Sequence, residues 1–159
     1  MKLHSFFITA FLFLAMTSGS YVSAEPACGD FLAMAGKKPA MLQYLGCSPG
    51  KSAQLHVLRA RYRVAGRDAH AVEAFLVKET GMLPLSRVCC IWETLPKEGK
   101  RYGHIPHNQW PEGSSEAQDP MLANYKVDMG SGENLVSQRE RWEAIDWFYV
   151  TVDLFLDAP

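Results

Sequence analysis

Past its first two dozen residues the chain has no apolar run long enough to cross a bilayer. It also has no excess of charge: 16 Lys and Arg stand against 17 Asp and Glu in 159 residues, a formal net charge of −1. That balance removes the electrostatic footprint of a nucleic-acid binder, or of a protein held on an anionic membrane surface. The motifs of common catalysts are missing too. There is no G-x-S-x-G, no phosphate-binding glycine loop and no dinucleotide fingerprint. No C-x-x-C pair is present, the spacing favoured by a zinc site or a thioredoxin-like redox centre. Internal repeats, heptads and low-complexity tracts are also absent, and no cofactor is expected. Cysteine is scarce, with four residues: Cys28, Cys47, Cys89 and Cys90.

The N-terminus departs from this even composition. Lys2 is followed by an apolar run from Phe6 to Met16, broken only by Thr9, and then by the small residues Ser23 and Ala24 after Val22. The run is shorter than the about 20 residues of a membrane-spanning helix. Its charge, length and small-residue ending predict a cleaved signal peptide over residues 1–24. A lipid anchor on Cys28 is disfavoured by Glu25-Pro26, where small apolar residues would be needed. Cleavage would leave 135 residues, with 15 basic groups against 17 acidic ones. The expectation is a single periplasmic or secreted domain, residues 25–159, with no membrane span after processing. A chain of that length can bury a substantial core.

Punctuation and periodicity then order the domain. A short helix is expected over 28–35, closed by Gly36, and a strand over 40–48, closed by a Pro49-Gly50 turn. Residues 54–64 alternate as a strand. Asp68 is placed to cap a helix running to 78 or 79, with Val72, Phe75, Leu76 and Ala69 on its inner face. Residues 85–94 read as one strand, and 124–129 as another. Residues 133–145 carry a weak helical pattern. In 147–156, Phe148, Val150, Val152, Leu154 and Leu156 fall on one face. Residues 96–120 are rich in Pro and Gly and form a long loop. The fold class is α+β: a mainly antiparallel sheet with two to three helices on one face, stapled by disulfides.

A set of short motifs runs through this frame: C-G-D-F-L (28–32), G-K-K-P (36–39), L-G-C (45–47), A-x-Y-R-V (60–64), V-E-A-F-L (72–76), V-C-C-x-W-E (88–93) and F-Y-V-T-V (148–152). Together they resemble an exported bacterial family catalogued as domain of unknown function 4952. The resemblance spans the mature chain and is weakest over 96–120. It implies domain limits and brings no activity.

An even number of cysteines behind an export signal predicts disulfides, and four cysteines allow three pairings. Neighbouring strand residues face opposite sides. If Cys89 and Cys90 lie within one strand, each reaches a different partner, and the pair anchors two crosslinks to Cys28 and Cys47. A vicinal Cys89–Cys90 bridge is disfavoured on the same premise, because its ring would interrupt the ladder.

Among the remaining groups, His104-Ile-Pro-His107 is a His-x-x-His spacing that Pro106 takes out of a helix. His56 and His70 are expected to be structural or solvated, and the carboxylates pair with nothing recognisable. Arg59, Arg61 and Arg63 alternate along a strand and should form a row on one face, either solvated or open to an acidic partner. Trp110 sits in the long loop, and Trp92, Trp142 and Trp147 are expected in or beside the core. The favoured reading is a binding module of immunity or inhibitor type for a protein partner in the envelope, with Arg59, Arg61, Arg63 and Trp110 as its surface. It is not expected to be an enzyme. The alternative is a small envelope hydrolase using His104 or His107 with a carboxylate.

Overall fold

The computed structural model describes residues 27–95 and 125–156. A four-residue helix α1 (Phe31–Met34) precedes strands β1 (Gln43–Ser52) and β2 (Leu55–Ala65) and the helix α2 (Gly66–Thr80). Strands β3 (Leu85–Val88), β4 (Ile91–Thr94) and β5 (Tyr125–Ser131), a 3-10 helix (Arg139–Ala144) and β6 (Trp147–Phe155) complete the order. The six strands make one sheet, β1-β2-β6-β5-β4-β3, with every pair antiparallel. The expected α+β class, the antiparallel sheet and a disulfide are all present.

The alternation read from sequence builds the core. Leu58, Ala60, Tyr62 and Val64 of β2 are buried beside Phe148, Val150, Val152 and Leu154 of β6, and Tyr125, Val127 and Met129 of β5 continue the same face. Against it pack Ala69, Val72 and Leu76 of α2, spaced by three and four residues as one helical face requires. Phe31 and Leu32 of α1 close one end, where the buried Tyr62 hydroxyl accepts the Leu32 amide at 3.2 Å. Burial drives that phenol far above its ordinary pKa.

Several boundaries differ from expectation for physical reasons. β1 runs through Pro49-Gly50 instead of ending there, pairing Pro49 with Leu58. It is an edge strand, where a residue without an amide hydrogen costs no ladder bond. α2 starts at Gly66, before Asp68, and Ala65 offers no side-chain cap. Phe75 is only partly buried, whereas Glu73 is buried. The weak pattern over 133–145 becomes helical only at Arg139–Ala144. Leu156 lies past the end of β6 and is exposed, unlike the four inward residues before it.

The main correction concerns the cysteines. Residues 85–94 form a hairpin of β3 and β4 instead of one strand, and Cys89-Cys90 is its two-residue turn between the paired Val88 and Ile91. The unbroken apolar run from Val88 to Trp92 imitates the middle of one continuous strand, which is why the sequence pattern misreads it. Cys28 is bonded to Cys47, with Cα atoms 5.5 Å apart, while Cys89 and Cys90 are free thiols. The two anchors predicted at Cys89 and Cys90 are therefore absent. The staple that exists ties the segment ahead of α1 to an edge strand across 19 residues, worth about 3 kcal/mol in the chain-entropy account.

Candidate functional site on the open face of the sheet

One face of the sheet packs on the helices; no described helix or strand lies on the other. Residues directly opposite one another on antiparallel strands share a face, so the strand register defines its rows. One row is Gln43, Arg63, Tyr149, Gly130 and Glu93, across β1, β2, β6, β5 and β4. The next is Gly46, Arg61, Thr151 and Asp128, and a third is Ser48, Arg59, Asp153 and Lys126.

The expected row of arginines exists on this face, but its three members have different fates. Arg59 is spent on Asp153: Nε and a terminal nitrogen donate to the two carboxylate oxygens at 2.6 Å each. That hydrogen-bonded carboxylate raises the guanidinium pKa further, against the opposing effect of burial. Arg63 donates to Gln43 at 2.8 Å and lies 4.2 Å above the Trp147 ring, a cation–π geometry. Trp147 thus belongs to the open face, being 37% exposed, and not to the core margin where sequence placed it. Arg61 is exposed and has no hydrogen bond or ion pair among the described residues. The register explains this: its neighbour on β1 is Gly46, which has no side chain, and its neighbour on β6 is Thr151, which carries no charge.

Beside the arginines lies a groove of about 500 Å³, lined among others by Ile91, Glu93, Asp128, Tyr149 and Thr151. Gly130 creates it. The missing side chain leaves a gap in the row between Tyr149 and Glu93, and a Cβ there would come within 2.9 Å of the Trp92 carbonyl oxygen. Asp128 is neutralised by Lys126 at 2.7 Å and accepts the Thr94 hydroxyl at 3.2 Å. Sequence reasoning named neither Tyr149 nor the groove. The signal was available: if Phe148, Val150 and Val152 face inward, Trp147, Tyr149 and Thr151 must face outward together.

On the helical side, a second polar cluster is structural. The buried Glu73 carboxylate accepts the Leu85 amide at 2.6 Å and the Arg139 guanidinium, while Arg139 also donates to the Leu85 carbonyl at 2.8 Å. Arg139 lies over Trp142 at 4.4 Å, and His70 stacks on that ring at 4.3 Å with its Nε2 at 2.8 Å from the Arg139 carbonyl oxygen. Trp92, also buried, meets Trp142 edge-on. These contacts fasten α2 to β3 and the 3-10 helix. His70 is structural, as expected. Among the described residues no group of three or more His, Cys, Asp or Glu is placed to hold a metal ion. No described helix is long and apolar enough to cross a membrane. Trp110, His104, His107 and residues 1–24 lie outside the described residues.

A family model described as a domain of unknown function (DUF4952) matches residues 18–92. The match takes in α1, β1, β2, α2 and β3 and stops within β4, so it covers part of the chain where the resemblance had spanned the mature domain. No curated protein and no solved structure matches the chain.

Proposed function

We propose that this domain is a protein-binding module of immunity or inhibitor type, which acts after export and receives an acidic segment of its partner on the open sheet face. The observation that carries this reading is Arg61, an exposed guanidinium with no hydrogen bond or ion pair among the described residues, between Gly46, which has no side chain, and the uncharged Thr151. Beside it stand Arg63 stacked on Trp147, and Tyr149, which is 48% exposed. Arginine, tryptophan and tyrosine are the residues that most often dominate binding energy at protein interfaces. Arg59 is removed from the binding set, because its carboxylate is already supplied by Asp153.

A partner carboxylate reaching Arg61 gains a planar, bidentate receptor that needs no rearrangement of the sheet. The groove beside Gly130 would take an adjoining side chain. The signal-like N-terminus supports action outside the cytoplasm.

Capture from an envelope extract, with captured proteins identified by mass spectrometry, tests the reading. One protein should be retained by the wild-type domain, lost with Arg61→Glu, and released from wild type by moderate salt. An Arg61→Glu variant that leaves retention of that protein unchanged would reject the surface.

A further inference from the structure

The Cys89-Cys90 turn has no part in that docking surface, and its local chemistry is unusual. Two-residue hairpin turns favour Asn-Gly or a similar pair, because their central residues adopt positive φ. Here Cys89 holds φ at 51° with a Cβ present, a conformation uncommon outside Gly, Asn and Asp. Packing does not repay it, since Cys89 is exposed and Cys90 only partly covered. A local rule broken without a structural gain marks a functional position more often than a defect. What the turn does achieve is to place two thiol sulfurs 3.0 Å apart at the tip of a hairpin.

We infer that Cys89 and Cys90 form a reversible vicinal dithiol–disulfide site, a modification centre that exchanges with small-molecule or protein disulfides. The bonded distance is about 2.05 Å, so the sulfurs need to close by about 1 Å. The turn position removes the objection that held for a strand. No ladder hydrogen bond runs between the two residues, and the flanking Val88–Ile91 pair stays in register.

The exposed Cys89 is the attacking group. Its thiolate forms a bond to one sulfur of the incoming disulfide, that disulfide breaks, and the released thiolate takes up the Cys89 proton. Cys90 then attacks Cys89 Sγ, the mixed disulfide breaks, and a second thiol leaves with the Cys90 proton. Two cysteines are oxidised and one external disulfide is reduced to two thiols. Before reaction, the hydrogen bond with Cys89, with burial behind it, holds the Cys90 thiol above its ordinary pKa, while Arg87 pulls the other way. Once Cys89 is in the mixed disulfide the main restraint is gone, so the resolving thiol ionises when it is needed. Among the described residues, the charged groups that act on the Cys90 thiol are Arg87 and Glu133. Arg87 is itself held by Asn134, whose backbone N–H donates to the Cys90 carbonyl at 2.8 Å.

The finished ring joins adjacent residues, whose Cα atoms are about 3.8 Å apart, below the usual range for disulfides. It is therefore easier to reduce than the Cys28–Cys47 bond, which fits a reversible site.

The test treats the purified protein, gently reduced so that Cys28–Cys47 stays bonded, with glutathione disulfide at neutral pH, then acid-quenches and alkylates it. The tryptic peptide Val88–Lys97 should lose the mass of two hydrogens, escape alkylation, and recover both thiols with dithiothreitol. Cys90→Ser should stop at a glutathione adduct on Cys89, with the Cys28–Cys47 peptide still linked as the folding control. A wild-type protein that stops at the same adduct, fails to react, or bonds Cys89 or Cys90 to Cys28 or Cys47 overturns the proposal, whatever the variant does.

Discussion

Arg59 and Asp153 face each other across β2 and β6, and Arg59 donates two parallel hydrogen bonds of 2.6 Å to the carboxylate, which is nearly sealed with the guanidinium at its rim. The side chains are 3% and 36% exposed respectively. That difference predicts an asymmetry. Arg59→Met strands a buried charge and should cost about 3 kcal/mol, whereas Asp153→Ala leaves a cation that water can reach and should cost nearer 2 kcal/mol. Replacing both, with Arg59→Met and Asp153→Leu, should recover most of the loss. Urea unfolding with an unchanged slope would measure all three.

Glu73 holds a different kind of junction. Its two oxygens satisfy the Leu85 amide and Arg139, so a single carboxylate locks the hairpin edge, α2 and the 3-10 helix. Glu73→Ala should cost about 3 kcal/mol, because a buried amide loses its acceptor and the Arg139 guanidinium, still bonded to the Leu85 carbonyl, loses its carboxylate. Glu73→Gln should lie between, keeping one acceptor oxygen but no charge. Hydrogen exchange localises the effect. The Leu85 amide should lose protection in Glu73→Ala, while amides of β6 slow or quicken only with global stability.

How much of this was legible in the sequence depends on which contacts fix each feature. The inward faces of β2 and β6 were readable, because a period of two in Leu58 to Val64 and in Phe148 to Leu154 is what burial on one side demands. The arginine row was readable for the same reason. What alternation could not supply was register. Only the pairing of β2 with β6 reveals that Arg59 meets Asp153 while Arg61 meets Thr151, and that distinction separates a spent charge from a free one. The hairpin was missed because Cys-Cys is not a turn signature, and the pattern runs through it unbroken. The groove rests on Gly130 lying opposite Glu93, a pairing between segments more than thirty residues apart in sequence.

Acid should expose the contribution of Glu79. Hydrogen bonds from Lys78, then Lys37, hold its carboxyl below the ordinary pKa. The folded value is depressed, so its stabilisation is fully present above the unfolded carboxylate pKa of about 4.3 and is lost as pH falls through the folded value. The stability difference between wild type and Glu79→Gln should therefore be constant near neutrality and shrink on acidification until the two coincide. Added salt should reduce it at every pH, since these charges are near the surface. Denaturant titrations repeated down a pH series would show the convergence; parallel curves to the acid limit would contradict it.

Gly66 presents the most severe steric demand among the described glycines. It opens α2 at the point where the end of the 3-10 helix crosses it, and a Cβ built there would lie 2.0 Å from the Trp142 carbonyl oxygen and 2.2 Å from that of Ile145. Both contacts are to backbone, so no rotamer change relieves them. The two carbonyls flank the turn that delivers the chain into β6, and backing them away would drag Trp142 from the cluster it shares with Trp92, Phe148 and His70. Ala is normally the better helix former by about 1 kcal/mol, so propensity alone predicts that Gly66→Ala stabilises. The crowding predicts the opposite: a loss above about 4 kcal/mol, in the range reserved for core disruption. Gly132→Ala, where nothing lies within 4 Å, is the matched control and should change stability by less than about 1 kcal/mol. Equilibrium unfolding of the two variants decides between propensity and packing at this junction.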